Sequence, residues 1–223
     1  MPIDSFADFV LGSLAALFPV IDPIGSVPIF LVLTAGVPQS LRRSYAKRIA
    51  LNVIFLLIGF LIVGGSILRF FGVSLEVVRI AGGIVVFHAA WNAMNADAKK
   101  MSDLENQEAT NRVDQHEDIS FMPMTIPLLA GPGSIAVALG LAAEASRGAT
   151  SSETLWNLAA ISTAIACIGL VIYIALRSSS LLLKWFGPSG IHALSRILGL
   201  FVMAIGVQLI LNGIGDWIES LSF

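Results

Sequence analysis

Charged side chains are scarce in this chain. Asp, Glu, Lys and Arg together make up 13% of its 223 residues, against about 25% in an ordinary soluble domain. So low a share argues against a soluble globule, whose surface needs many charges. The net charge of −2 leaves no basic excess, so a nucleic-acid partner is not expected. The single cysteine, Cys167, excludes a disulfide within the chain.

Signatures of metal binding, cofactor binding and nucleophilic catalysis are also missing. The sequence has no H-E-x-x-H motif, no cysteine pair, no phosphate-binding glycine loop and no dinucleotide fingerprint. We therefore predict no metal, no cofactor and no catalytic residue, and we do not expect an enzyme.

The sequence is rich in long apolar runs, and 56% of its residues are hydrophobic. A helix needs about 20 apolar residues to cross the hydrocarbon core of a bilayer. Four stretches meet this length without interruption: 49–68, 77–96, 155–176 and 193–214. Two more, 6–35 and 119–144, are long enough but rich in proline and glycine. The sequence predicts an all-α membrane protein with six transmembrane segments.

Segments 1 and 4 should be broken, because proline removes a backbone donor and clashes with the preceding turn. The residues responsible in segment 1 are Pro19, Pro23, Gly25 and Pro28. Those in segment 4 are Pro123, Pro127, Gly131, Pro132 and Gly133. The two parts of segment 1, 6–18 and 25–35, are each too short to cross alone, and a re-entrant path stays open as an alternative.

The broken segments open two halves that share motifs in the same order. Both breaks fit P-x5-G-S-[VI], and the later pieces Phe-Gly-x-Ser and Arg-Ile-x-Gly also occur twice, with offsets growing from 108 to 115 and 117 residues. We divide the chain into a first three-helix repeat (1–97), a polar cytoplasmic linker (98–118) and a second repeat (119–223). Three crossings per repeat would make the second repeat inverted, as in many secondary transporters.

Lysine and arginine predict the orientation, because they are enriched in cytoplasmic loops. With the N-terminus outside, ten of the 13 basic residues fall in inner loops and three, Arg69, Arg79 and Arg147, in outer loops. This count favours both termini outside the cell. An alternative, in which segments 1 and 4 enter and leave on one side, has a weaker charge bias.

Unwound backbone inside a membrane must face protein or a wet cavity. The half-helices beginning near Gly25 and Gly133 would direct free N–H groups into such a cavity, where a carboxylate is the natural ligand. Ser26 and Ser134 could touch the ligand or only cap the half-helices. The matched breaks favour a binding site over kinks that serve packing alone.

Other polar residues lie in or near apolar segments. Asp22 lies between the two parts of segment 1, where it could bind a substrate amine, carry a proton or hydrogen-bond to segment 4 as a structural residue. His88, Asn92 and Asn95 share one helical face in segment 3, and Asn212 lies one turn from Gln208 in segment 6. We expect these stripes to face the bundle interior. His88 is a second candidate for proton transfer, although a buried structural histidine is commoner.

Residues 17–30 (LFPVIDPIGSVPIF) and 122–135 (MPMTIPLLAGPGSI) resemble the signature stretches of the MarC family of prokaryotic inner-membrane proteins. The Phe-Gly-x-Ser and Arg-Ile-x-Gly pieces extend this resemblance over nearly the whole chain. The resemblance implies a small-molecule transporter related to the lysine-exporter superfamily, of the type that handles glycine and alanine. Pro23, Thr125 and Gly131 lie in the same stretches and complete the candidate substrate site.

Together these features predict a secondary transporter of small neutral amino acids in the cytoplasmic membrane, working by alternating access and coupled to protons. A broader exporter of drugs or metabolites is the alternative, and it would need a larger cavity. A third hypothesis is an intramembrane hydrolase that uses Ser134 or Ser26 with His88. The expected partners are a zwitterionic solute and the lipid bilayer; the sequence does not give the oligomeric state.

Overall fold

The computed structural model describes residues 6–34, 36–95, 118–146 and 150–221, and in this part of the chain the regular structure is helical throughout. In chain order the elements are α1 (Phe6–Ile21), α2 (Ser26–Leu33), α3 (Gln39–Phe70), α4 (Leu75–Asn95), a π-helical turn (Met124–Leu129), α5 (Pro132–Ser146), α6 (Ser151–Arg177) and α7 (Ser179–Leu221). The predicted linker lies outside the described residues except for Asp118.

Three stretches of helix are long and apolar enough to cross a membrane: α3, α6 and the part of α7 from Ser189 to Leu221. The pair α1 and α2, bent by 51°, makes a fourth if it is one broken span. The prediction of an all-helical membrane protein is confirmed to this extent. The six-crossing inverted repeat remains a prediction.

The break in segment 1 begins later than the sequence predicts. Pro19 lies inside α1, which continues to Ile21, and the amide of Asp22 still donates to the carbonyl of Phe18 at 3.1 Å. The expected end of the first part at residue 18 is therefore wrong. A proline close to a helix end removes only one backbone hydrogen bond, so the last turn persists.

Helices that correspond in the two predicted repeats pack against each other, α3 with α6 and α4 with α7. Between α3 and α6, Gly169 lies against Ile54, and its nearest backbone neighbour is the carbonyl of Ala50. Between α4 and α7, Gly199 lies against Ala90 and Gly213 lies against Glu76. Late residues of α4 thus meet earlier residues of α7, and early residues of α4 meet later ones, so these two helices are antiparallel, as an in-plane two-fold arrangement requires.

Glycine allows the backbones of α4 and α7 to approach each other more closely than those of α3 and α6. A Cβ on Gly83 would lie 2.6 Å from the carbonyl oxygen of Gly206 and 2.7 Å from Cγ1 of Ile210. A Cβ on Gly206 would lie 2.8 Å from the amide of Phe87. Helix backbones that approach so closely are typical of membrane helix pairs, where small residues replace the hydrophobic effect as the basis of association.

Apolar side chains cover both the inside and the outside of this bundle. The main core contains buried residues from all the helical segments except α4, among them Leu17, Phe30, Leu57 and Ile168. Large apolar side chains on the outer surface are exposed as well, for example Phe55, which is 74% exposed. So extensive an apolar surface suits a hydrocarbon solvent and is not found on soluble monomers.

Candidate functional site

The first break joins α1 to α2 through Asp22. This residue has a positive φ of 44°, a conformation that aspartate adopts more readily than most residues. Its Oδ1 atom accepts a hydrogen bond from the amide of Gly25 at 2.9 Å, and its carbonyl oxygen accepts one from the amide of Ser26 at 3.2 Å. Asp22 therefore ends α1 and caps the turn that leads into α2.

This capping corrects the expectation of free amides near Gly25. The carboxylate of Asp22 takes the Gly25 amide, and the amides of Ser26 and Val27 donate to the carbonyls of Asp22 and Ile24. The physical reason is local, because an aspartate three residues before an amide reaches it as an N-cap residue does. At the first break, the chain itself supplies the anion that was expected of a ligand.

The second break joins the π-helical turn to α5 and does present helix-terminal donors. A Cβ on Gly131 would collide with the carbonyl oxygen of Pro127, so the chain needs glycine there. Helix α5 begins at Pro132, which has no amide hydrogen, so its first donors are the amides of Gly133 and Ser134. This helix end has the polarity that favours a carboxylate.

The hydroxyl groups of the two serines of the repeated motif each donate a hydrogen bond to a backbone carbonyl of their own break. Oγ of Ser26 donates to the carbonyl of Pro23 at 2.8 Å, and Oγ of Ser134 donates to the carbonyl of Leu129 at 2.9 Å. Both side chains are buried. Each hydroxyl satisfies a carbonyl of its break and keeps lone pairs that can accept a further hydrogen bond. In this arrangement neither serine donates to a histidine, as the nucleophile of a hydrolase would.

Gly133 brings the two breaks together. A Cβ on Gly133 would lie 3.5 Å from Cγ1 of Val20 in the last turn of α1, and 2.9 Å from Cγ2 of Val86 in α4. Ala130 of the second break and Ile21 beside the first are buried in one apolar core. The donors of α5 thus lie next to the end of α1.

Thr125 supports the second break from within. Its side chain is fully buried, and its Oγ1 atom donates to the carbonyl of Ser120 at 2.6 Å, while its own carbonyl accepts the amide of Ala130 at 2.8 Å. These bonds tie the π-helical turn to the residues on both sides of it.

The described members of the polar stripes of segments 3 and 6 do not join this site. His88 is exposed on α4, and the side chains of Asn92 and Asn95 lie outside the described part of the structure. The expectation that the segment 6 stripe faces the interior is wrong: Gln208 and Asn212 are both exposed, and Nε2 of Gln208 donates to Oδ1 of Asn212 at 2.7 Å. Amides one helical turn apart satisfy each other, so they need no partner in the bundle.

Sequence reasoning missed a buried ion pair between Arg79 in α4 and Asp216 in α7. Their side chains are 7% and 15% exposed, and Nη2 of Arg79 also donates to the carbonyl of Gly140 in α5 at 3.2 Å. From the sequence, Arg79 is expected in an outer loop because it stands at a segment edge. Opposite charges at the start of segment 3 and just after segment 6 were the signal available.

A comparison with protein-family models finds one family, described as MarC family integral membrane protein, that matches residues 7–218. This match spans both breaks and every described helix except the residues at the two ends. The chain belongs to the MarC family.

Relatives of this MarC-family chain occur in bacteria and archaea. It is 31% identical to the membrane protein YvbG of Bacillus subtilis over 92% of its own length and 94% of that protein. It is 34% identical to the membrane protein MJ1677 of Methanocaldococcus jannaschii over 92% of this chain and 95% of that protein. It is 28% identical to the inner membrane protein MarC of Escherichia coli over 98% of this chain and 99% of that protein. No solved structure matches.

The names of these MarC-family relatives state a membrane location and no substrate. Within the described residues of this chain, no group of three His, Cys, Asp or Glu side chains could hold a metal ion. The chemistry that the site offers is therefore that of hydrogen bonding and charge: amides at the start of α5, two serine hydroxyl oxygens and the carboxylate of Asp22.

Proposed function

We propose that this protein is a secondary transporter that moves small neutral amino acids, such as glycine and alanine, across the prokaryotic cytoplasmic membrane. The solute binds between the two breaks, and alternating access is coupled to protons. The observation that carries this proposal is the contact of Gly133 with α1, because it puts the donors of one repeat beside the break of the other.

The groups at the breaks are complementary to a zwitterion. Amides at the positive end of a helix favour a carboxylate, and here they are those of Gly133 and Ser134. An ammonium needs acceptors, which the Oγ atoms of Ser26 and Ser134 supply after donating their own protons. Val20 and Val86 approach Gly133 closely, which favours a solute with a small side chain.

Asp22 is the residue through which proton binding would act on the site. Its carboxylate holds the Gly25 amide at 2.9 Å, and protonation makes a carboxyl group a weaker acceptor. Gain of a proton would therefore loosen the cap of α2 and release the Gly25 amide into the break. Such a change couples the protonation of one side chain to the angle between α1 and α2.

The cytoplasmic membrane is the proposed location, in line with the name of the Escherichia coli relative, an inner membrane protein. Both termini are proposed to lie outside the cell, on the distribution of lysine and arginine. A C-terminal alkaline phosphatase fusion should be active and a C-terminal green fluorescent protein fusion should be dark. The opposite pair of results would reverse the orientation.

Reconstituted protein tests the transport proposal. Proteoliposomes should take up labelled glycine or alanine when a proton gradient is applied, and Asp22→Asn should abolish the pH dependence of uptake or uptake itself. Asp8→Asn, at an exposed aspartate in α1, is the matched control and should behave as wild type. His88→Ala separates the two candidate proton carriers, since only the true carrier should remove the pH dependence.

The substrate assignment fails if folded wild-type protein moves neither amino acid. Uptake that bulky drugs inhibit and excess glycine does not would favour a broader exporter instead. Ser134→Ala and Ser26→Ala should each raise the KM for glycine, because each removes one acceptor for the ammonium.

A further inference from the structure

A cavity of about 600 Å³ lies at the end of the bundle where α3 ends and α4 begins. Its walls come from α3, α4, α5, α6 and α7, and residues of neither break line it. Leu139, the first of the three α5 residues on its wall, is six positions beyond Gly133, which is about 9 Å along a helix. The cavity is therefore separate from the proposed transport site.

Four charged side chains line this cavity: Arg69, Glu76, Arg79 and Asp216. Two are positive and two are negative, so the cavity has no net formal charge and is not matched to a simple anion or cation. Its other walls include the apolar side chains of Leu61, Ile62 and Leu158. A neutral solute with both polar and apolar parts fits such a lining.

Two of the four charges are committed to each other. Arg79 and Asp216 form the buried ion pair described above, and Arg79 also donates to the carbonyl of Gly140. Because this pair joins α4, α5 and α7, it holds the wall of the cavity in place and has little capacity left for a ligand.

Arg69 and Glu76 are the other two charges, and they do not pair. Among the described side chains that line the cavity, the ion pair is Arg79–Asp216, so Arg69 and Glu76 line one cavity without forming an ion pair with each other. A guanidinium binds a carboxylate with two parallel hydrogen bonds, and a carboxylate binds an ammonium. Separated opposite charges of this kind are complementary to a ligand that carries both.

The equivalent positions of the second Phe-Gly-x-Ser turn do not carry such a pair. The Phe-Gly-x-Ser repeat places Lys184 at the position of Arg69 and Ile191 at the position of Glu76. Ile191 is buried in the apolar core, so the acidic member of the pair is missing there. The pair of opposite charges is therefore present at only one of the two equivalent turns. If these charges served only the membrane interface, both turns would be expected to carry them.

We propose that this cavity is a second binding site for zwitterionic solutes, in which Arg69 binds the carboxylate and Glu76 binds the ammonium of a small neutral amino acid. The choice of a free amino acid rests on the proposed function. The ammonium and anionic groups of a phosphatidylethanolamine head share this chemistry, and the test separates the two sources.

Protection of a cysteine measures binding at this cavity directly. Val73 is exposed in the turn before α4 and is part of the cavity lining. The reporter is therefore Val73→Cys, made in a Cys167→Ala background and studied in phosphatidylcholine nanodiscs. Glycine and alanine should slow its reaction with a water-soluble maleimide. Acetate or ethylamine, which carry one of the two charges, should protect far less at the same concentration.

Matched variants test whether the protection by glycine depends on Arg69 and Glu76. Arg69→Gln or Glu76→Gln should raise the half-protecting glycine concentration about tenfold, the effect of losing one charged hydrogen bond. Lys184→Gln, the equivalent change at the other end, should leave it unchanged. Ser189→Cys as the reporter should show no protection. Arg69 is exposed, so its substitution should not alter the thermal midpoint.

Several results would overturn the inference. They are no protection by either amino acid, protection that survives both Arg69→Gln and Glu76→Gln, or protection that Asp22→Asn removes, since the last would report binding at the breaks. Protection by phosphatidylethanolamine in the nanodisc without any by glycine would assign the cavity to lipid and also contradict it.

Transport by the same preparations separates this inference from the proposed function. Uptake of glycine without protection of Val73→Cys would overturn the second site alone. Protection without uptake would support the second site and contradict the transporter.

Discussion

Gly72 and Gly187 have the same left-handed backbone conformation, with φ of +66° and +65°. Each follows two aromatic residues, Phe70 and Phe71 in one case and Trp185 and Phe186 in the other, and all four aromatic side chains are exposed. Because α4 and α7 are antiparallel, the two turns lie at opposite ends of the bundle. Equal turns at opposite ends are what an inverted repeat produces, and aromatic pairs there suit the two membrane interfaces.

The first prediction concerns these two turns. Gly72→Ala and Gly187→Ala should each lower the free energy of unfolding by about 1–2 kcal/mol, the cost of a left-handed conformation for an L-residue. Space is not the cause, because nothing lies within 4 Å of a Cβ at either position. Gly59→Ala, in helix α3 and equally open, should be neutral or stabilising. Unfolding in mixed micelles measures all three, and equal effects at Gly59 and Gly72 would contradict the explanation.

The second prediction concerns the packing of α4 on α7. Gly206→Ala should destabilise the protein by about 1–3 kcal/mol through overpacking, since the new methyl group would meet the backbone of Phe87 and Gly83. Gly215→Ala lies in the same helix, in open space, and should be tolerated. Thermal unfolding in detergent is sufficient for the comparison. A tolerated Gly206→Ala would mean that the two helices are less closely packed than described.

The third prediction concerns the buried ion pair. Asp216→Asn or Arg79→Gln should each cost about 3–5 kcal/mol, because either change leaves one charge buried without its partner. Arg79→Met with Asp216→Leu should recover much of that loss, since no charge is then left behind. Arg48→Gln is the control: the Arg48–Asp118 pair is 57% and 51% exposed, and exposed pairs contribute at most about 1 kcal/mol.

The fourth prediction concerns the pH dependence of stability at Asp118. Burial acts to raise the pKa of its carboxyl, but hydrogen bonds from Ser120 and the nearby guanidinium of Arg48 outweigh it and hold the pKa below 3.8. A lowered pKa in the folded state stabilises the fold above pH 3.8, and this contribution is lost as pH falls through the folded pKa. Asp118→Asn should therefore be less stable than wild type at pH 7.

The difference between Asp118→Asn and wild type should disappear as the pH falls well below 3.8, because both then carry an uncharged side chain. Chemical unfolding of the two proteins at a series of pH values measures it. A difference that is constant with pH would assign the effect to the lost hydrogen-bond geometry and not to the charge.

Several features of the fold could be predicted from the sequence because they depend on local chemistry. Runs of apolar residues give the helices α3, α4, α6 and α7, since a long apolar helix needs nothing beyond its own backbone hydrogen bonds in lipid. Proline and glycine place the interruption at Gly131–Gly133, where the steric conflict lies within a few residues. The repeated Phe-Gly-x-Ser piece marks two turns that share one backbone conformation.

Residues near the breaks show where local reasoning fails. The extent of α1 beyond Pro19 and the capture of the Gly25 amide by Asp22 are decided by the hydrogen bonds that the folded chain makes. Gln208 and Asn212 read as an inward stripe from their spacing alone, yet their mutual hydrogen bond lets them lie on the outer surface. A polar residue in an apolar helix thus predicts that its side chain has a hydrogen-bond partner, but it does not identify that partner.

The sequence by itself determined that this chain is helical, belongs in a membrane and carries two interruptions, because hydropathy and proline chemistry act within a single segment. Only the tertiary structure decided that Gly133 lies against Val20, that Arg79 pairs with Asp216, and that Arg69 and Glu76 line one cavity. Each of these relations joins residues far apart in the chain, and which of them meet depends on how closely the helices pack. In lipid that depends on small residues and matched polar groups at the helix contacts, whose partners are unknown until the bundle is assembled.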